Sequence, residues 1–248
     1  MTNLQNELKT AGERFNFTYL DKGKDLLELS FENVVLIEAI IAHDSNYSKA
    51  GRKDAVPSGK YKGSTAYWMV ELSKYLNSDS KDKKEFERLV TEAVAAVDRE
   101  NSTHLNVGNG RDEETRRIIK FGEDRIIETL KNSSLELFDE LVKPVNVSTK
   151  NGSYKRCNIS FASKFCHYLC FWLFEGKPEA DNYSIYDNIV KKQLSRYAEK
   201  YNIKYQEESL EDYSYYCTII NQILSKSGNK ISRNGFDHLL WYYYKGRK

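Results

Sequence analysis

Apolar residues recur at helical spacing along most of the chain. They predict helices at Asn3–Phe15, Asp25–His43, Ser64–Leu76, Lys81–Arg99, Asp112–Lys131, Ser134–Lys143, Ser160–Glu175, Ile185–Tyr201, Leu210–Ser225 and Ser232–Tyr244. Small polar residues mark two of the starts: Ser80 precedes KDKKEFERLV and Ser184 precedes IYDNIVKKQL. The period changes in one place, the stretch PVNVSTKNGSYKRCNI from Pro144 to Ile159. There Val145 and Val147 alternate with polar residues, and Asn151-Gly152 is a turn pair, so a single short hairpin is expected. The pattern contains no repeat and no low-complexity tract. The fold class it predicts is mainly all-α, a helical bundle with one short β-hairpin.

One helix is apolar on every side. Phe161–Phe174, FASKFCHYLCFWLF, carries a single formal charge, Lys164, and should run through the centre of the fold. Its length is about two-thirds of what a bilayer span needs, so it is expected to be a core helix. A lysine inside it is costly unless it snorkels, pairs or loses its proton. Near a helix start, burial and the positive end of the helix dipole both disfavour the ammonium. A deprotonated lysine is a nucleophile able to form a Schiff base. The alternative is a lysine whose head reaches solvent at the helix end. Asp187 follows 23 positions later, in YSIYDNIV. Ser184-x-x-Asp187 is close to a capping box, and an acid in the first helical turn is favourable for that reason alone. The other reading is a carboxylate held at a helix start and aimed into a cleft, where it would stabilise developing positive charge.

Composition narrows the class. Of 248 residues, 40% are hydrophobic and 30% charged, which is too balanced for a disordered chain. Three prolines against eighteen tyrosines suit long helices and few rigid loops. The N-terminal stretch MTNLQNELKTAGERF has no apolar core of a signal peptide, and the cysteines, Cys157, Cys166, Cys170 and Cys217, form no CxxC pair. A cytoplasmic protein with reduced thiols is the expectation. Residues 1–140 carry a net −5 and residues 141–248 a net +7, so one unit with an acidic and a basic lobe is expected, meeting near residue 140. The basic part can supply phosphate contacts, or it is a solvated face. The loop Ser48–Gly63 adds Lys49, Arg52, Lys53, Lys60 and Lys62, which either touch a phosphate backbone or form an ordinary lysine-rich surface. VGNGR at 107–111 is not a phosphate motif, since no GxGxxG or GK[ST] occurs. HExxH, paired CxxC and GxSxG are absent too, so no metal, cofactor or serine triad is expected. Cys166 and Cys170, one turn apart, read as packing residues.

Lys164 in FASKFCHYLCFWLF and Asp187 in YSIYDNIV together resemble the helix-hairpin-helix DNA glycosylases, in particular the 8-oxoguanine DNA glycosylase branch and its bacterial relatives. RNGFDHLLWYYY at 233–244 is similar to the closing helix of those relatives. The resemblance covers about residues 155–200 and the C-terminus. It implies a glycosylase fold in which Lys164 attacks C1′ of a flipped nucleotide and Asp187 steadies the oxocarbenium-like sugar, with lyase chemistry following from the imine. It also implies a partner, duplex DNA, and a role in base-excision repair or in defence against phage with modified DNA. Tyr168, Trp172, Tyr183, Tyr186 and Trp241 are candidate walls of the base pocket, and each also suits a core role. The family's hairpin is rich in glycine, whereas the matching stretch here, Cys157–Ser163, has none, so Ser160 and Ser163 would be the phosphate donors. Two other readings stay open: a non-catalytic nucleic-acid-binding module of the same fold, and a helical protein-interaction domain. No membrane partner is expected.

Overall fold

A computed structural model describes residues 26–35, 63–101, 103–105, 108–149 and 152–245. The predicted helix Asn3–Phe15 and the lysines and arginine of the basic loop, Lys49, Arg52, Lys53, Lys60 and Lys62, lie outside the described residues. So does most of Asp25–His43, of which only 31–35 is described as helix. The described residues fall into two compact units, one within 49–185 and one that joins 26–35 to 186–245. The change of charge sign near residue 140 falls inside the first unit.

The first unit contains α1 (Thr65–Leu76), α2 (Lys83–Asn101), α3 (Gly110–Phe121), α4 (Glu123–Lys131), α5 (Glu136–Val142) and α6 (Ile159–Leu173). A hairpin, β1 (Val145–Thr149) and β2 (Gly152–Arg156), separates α5 from α6, and a 3-10 turn, Pro178–Asp181, follows α6. The apolar girth of α6 is explained by its neighbours, because it packs against α1, α2, α4 and α5 together. Phe161, Phe165 and Leu169 are completely enclosed, as are Leu72 of α1, Val90 and Val94 of α2, Leu130 of α4 and Leu141 of α5. Each such side chain contributes about 1.5–3 kcal/mol on leaving water.

Local chemistry shifts several helix ends from where the periodicity put them. Ser64, the first residue of the predicted helix, is the cap of α1, its Oγ accepting from the Tyr67 amide. At α2 the effective start is Asp82 rather than Ser80, since Asp82 Oδ1 accepts from the Lys84 amide at 2.9 Å. The single helix expected over Asp112–Lys131 is two, because Gly122 adopts φ +91, a conformation that ends α3 and begins α4. Gly110 has a steric role: a Cβ there would sit 2.6 Å from the Leu105 carbonyl oxygen. The second glycine of VGNGR therefore serves a tight approach of backbone to backbone.

The hairpin is present, antiparallel, with Val145 opposite Arg156 and Thr149 opposite Gly152. Gly152 is thus the first residue of the second strand and not part of the turn. Arg117 of α3 fixes the foot of the hairpin by donating to the carbonyls of Lys143 at 2.6 Å and Pro144 at 3.0 Å. Val145 is buried there at 2% exposure.

A buried acid organises the loop ahead of α3. Asp98 accepts hydrogen bonds from the Thr103 hydroxyl, the Leu105 amide and Arg111 Nε, each at 2.7 Å. Burial pushes its carboxyl up, but these donors outweigh burial and hold it below the usual range. The loop in turn receives α6: Asn158 donates from Nδ2 to the Thr103 carbonyl at 2.8 Å and caps the helix through Oδ1, which accepts from the Phe161 amide at 2.9 Å.

The second unit holds α7 (Asn188–Lys200), a 3-10 turn at Glu207–Glu211, α8 (Tyr213–Lys226) and α9 (Arg233–Lys245), with the three helices in mutual contact. Asp212 caps α8, accepting from the Ser214 amide at 2.8 Å. Residues 26–35 belong here because Tyr197 donates to the Leu27 carbonyl at 2.8 Å and Leu29 is enclosed. Among the described residues no helix is long and apolar enough to cross a membrane.

Asn158→Ala should lower stability by roughly 1–3 kcal/mol, because it removes a cap and strips the buried Thr103 carbonyl of its donor; chemical denaturation measures this. Glu114 of α3 gives a pH test. It is fully buried, and burial pushes its carboxyl from 4.5 up to about 8, opposed by Arg117 and reinforced by Glu113 and Glu140. The folded form therefore keeps a proton that the unfolded chain loses above pH 4.5, so stability falls as pH rises from about 4.5 to about 8 and then levels. Glu114→Gln should remove that slope and raise stability at pH 8 by roughly 1–4 kcal/mol, read from denaturation midpoints across that range.

Candidate functional site

Lys164 is the sixth residue of α6, since Asn158 is the cap and Ile159 opens the helix. It therefore lies in the second turn, not in the first turn as the sequence suggested, and beyond the reach of most of the terminal dipole. The residue as a whole is buried, at 7% exposure. Nζ donates to the Ser160 hydroxyl, one turn back, at 3.0 Å. An amine beside a hydroxyl, on a helix that is otherwise apolar, is the main chemical feature of the first unit.

The other predicted residues of this unit surround the same helix. Ser163 is enclosed, and its hydroxyl donates to the Ser160 carbonyl at 3.1 Å, an arrangement internal to the helix. Tyr168, one turn beyond Lys164, is half-buried and donates to Asn101 Oδ1 at 3.1 Å. Trp172 is 7% exposed and meets Phe171 edge-on, with ring centroids 5.2 Å apart. Tyr183 is buried, with its hydroxyl at the carbonyls of Thr129 and Ser134. Its own carbonyl receives His167 Nδ1 at 2.8 Å, which fixes the chain after the 3-10 turn against α6. The buried thiols Cys166 and Cys170 are packed into α6, and burial pushes the Cys166 thiol well up, away from the reactive thiolate.

Asp187 belongs to the second unit and is the N-cap of α7. Ser184, the start signal in the sequence, is not the cap. Asp187 has extended backbone, φ −128 and ψ 140, and its Oδ1 accepts from the Ile189 amide at 2.7 Å. A carboxylate has two oxygens, so a cap of this kind orients the group without exhausting it. Tyr186, beside it, stacks obliquely on Tyr216 with centroids 5.0 Å apart and receives Lys191 Nζ on its hydroxyl at 3.0 Å. That bond and the Lys191–Glu211 ion pair hold the lysine in its charged form, with its pKa raised. Trp241 is half-buried on α9.

The sequence reading passed over Tyr216, which bonds the Asp187 backbone, and Asp237, whose charge acts on the same Tyr216 hydroxyl. Tyr216 of α8 is fully enclosed, and Asp237 of α9 is 7% exposed. Burial pushes the Tyr216 hydroxyl far up, the charges of Asp237 and Asp187 add to it, and a hydrogen bond to the Asp187 backbone works against it. Asp237 sits in FDHLL, a lone acid in an apolar run, the same signal that identified Lys164. Asn158 was passed over because the helix was begun at Ser160. Among the described residues, no group of three or more His, Cys, Asp or Glu side chains is disposed to hold a metal ion.

Compared with protein-family models, curated proteins and solved structures, the chain matches none. Its function is therefore argued from its own residues.

The capping geometry is testable by itself. Asn caps about as well as Asp, so Asp187→Asn should leave the denaturation midpoint near wild type. Asp187→Ala should lose about 1 kcal/mol, measured by chemical denaturation.

Proposed function

We propose that the protein is a DNA glycosylase that removes a modified or damaged base from duplex DNA, with Lys164 as nucleophile and Asp187 as the stabilising carboxylate. The observation that carries this reading is the placement of Lys164, buried at 7% exposure with Nζ 3.0 Å from the Ser160 hydroxyl. An amine enclosed on a largely apolar helix needs polar partners, and such a position suits a lysine used as a nucleophile.

In the proposed reaction the target nucleotide is flipped out of the stack. The neutral Lys164 amine forms the N–C1′ bond while the glycosidic bond breaks, and the attacking nitrogen releases a proton as it does so. The base leaves with that electron pair and takes up the proton. Opening of the sugar ring then yields an imine, which opens a lyase branch. Asp187 supplies negative charge as positive charge grows on the sugar, from a position fixed by its bond to the Ile189 amide. Tyr168, Trp172, Tyr183, Tyr186 and Trp241 remain the proposed base-pocket residues. The proposed setting is the cytoplasm, in base-excision repair or in defence against phage with modified DNA.

The Ile189 cap favours a second reading, a helical interaction domain in which Asp187 only closes α7. Kinetics separate the two. Wild type should release a free base, detected by mass spectrometry, from at least one member of a panel of modified duplexes. Borohydride should also trap it on abasic-site DNA. Lys164→Ala should abolish trapping, and Asp187→Asn should slow base release by roughly 100-fold or more while keeping its stability. No released base from any duplex, or trapping unchanged in Lys164→Ala, would overturn the glycosylase reading.

A further inference from the structure

The basic bias of the C-terminal half has a definite source. From residue 141 to residue 174 there is no aspartate or glutamate, and the stretch carries Lys143, Lys150, Lys155, Arg156 and Lys164. The structure turns the first part of this stretch into the β1–β2 ribbon and the second part into α6. Of these cations, Lys155 and Arg156 lie on β2 and Lys164 on α6.

The ribbon is polar and cationic but carries an exposed aromatic ring. Tyr154 is 50% exposed, and Phe31 and Val35, the other large apolar side chains exposed to this degree among the described residues, lie in the other unit. Lys155, the next residue, is exposed as well. Side chains alternate across a strand, so Tyr154 and Lys155 project from opposite faces. Arg156, on the Tyr154 face, is drawn inward and donates to the His104 carbonyl at 3.4 Å. With Arg117 clamping the carbonyls of Lys143 and Pro144, the foot of the ribbon is tied to α3 and to the loop before it. The foot of the ribbon is thus anchored by side-chain hydrogen bonds at both strands.

A two-stranded ribbon fits the major groove of B-DNA, whose walls are phosphate and whose floor is base edges. An exposed ring and an exposed ammonium on neighbouring residues suit such a groove, the ring meeting base edges and the long lysine side chain reaching to a flanking phosphate. We propose that the β1–β2 hairpin is a DNA-contacting element that enters a groove of the duplex, with Tyr154 against the bases and Lys155 against a phosphate. The glycosylase reading supplies the choice of DNA as partner; charge, exposure and anchoring supply the site. The hairpin stands directly before Asn158, so DNA held there is held next to the cap of the helix that bears Lys164.

The test is the affinity of the full chain for a fluorescein-labelled duplex, followed by anisotropy over a salt series. Tyr154→Ala should weaken binding roughly 5- to 100-fold, and Tyr154→Phe should restore it to within about twofold. Lys155→Ala should reduce the slope of log affinity against log salt by about 1. Both side chains are exposed, so the far-ultraviolet spectrum and denaturation midpoint of each variant should match wild type. Variants that bind like wild type would overturn the proposal. So would a chain that binds vesicles of anionic lipid and not the duplex. Base release decides the other question separately. Weakened binding in Tyr154→Ala with no base ever released would keep the hairpin and remove the glycosylase, whereas base release unaffected by either variant at sub-saturating DNA would do the reverse.

Discussion

The two-sided hydrogen bonding of Asn158 is the constraint on which the first unit depends. Its amide nitrogen grips the Thr103 carbonyl and its oxygen closes the start of α6. Thr103 is itself held by Asp98, which also takes the Leu105 amide and Arg111. A buried carboxylate on α2 thus shapes a loop, the loop positions an asparagine, and the asparagine sets where α6 begins. Each polar group in the relay is buried and satisfied by the next, so none can be removed without stranding its partner. Because α6 is apolar all round, it has no solvent face to set its rotation. The cap and the surrounding helices fix it, and with it the position of Lys164.

Buried or half-buried charge marks both units. Lys164 in the first and Asp237 in the second each stand in an apolar run, and Asp187 lies at a helix end beside Tyr216. A fold that only had to be stable would place apolar residues at such points, since a buried charge seldom adds net stability. Glu114 shows the other way of managing the cost: burial keeps its proton on, so a neutral acid occupies the core. Lys164 has the Ser160 hydroxyl, and Asp187 has the Ile189 amide. These are directional contacts that orient each side chain, and the proposed chemistry is assigned to these two residues.

Much of the helical fold was legible in the sequence. The 3.6-residue period found α1 and α6, and the switch to alternation at Val145 and Val147 found the hairpin. What escaped was set by backbone conformation or by contacts distant in sequence. Gly122 breaks one apolar pattern into two helices through its positive φ, which periodicity does not register. The starts at Asp82 and Asp187 were missed because a serine nearby looked like the better cap. For the candidate site, Lys164 was legible as a lone charge in an apolar helix. Its bond to Ser160 required the helix register to be known, and the neighbourhood of Asp187, Tyr216 and Asp237 is built from three helices spread over fifty residues. The basic loop Ser48–Gly63 was the sequence's candidate for phosphate contact, and its cations lie outside the described residues. Among the described residues, an exposed ring and an exposed lysine adjoin at Tyr154 and Lys155.

The central claim is that the Lys164 amine is the group that bonds to the sugar. The most direct measurement is peptide mapping by mass spectrometry of the borohydride-reduced complex with abasic-site DNA. Trypsin normally cuts after Lys164, and an alkylated lysine blocks that cut. The account predicts a missed cleavage between CNISFASK and FCHYLCFWLFEGKPEADNYSIYDNIVK, with the deoxyribose remnant on Lys164. The remnant on any other amine, with normal cleavage after Lys164, would contradict it.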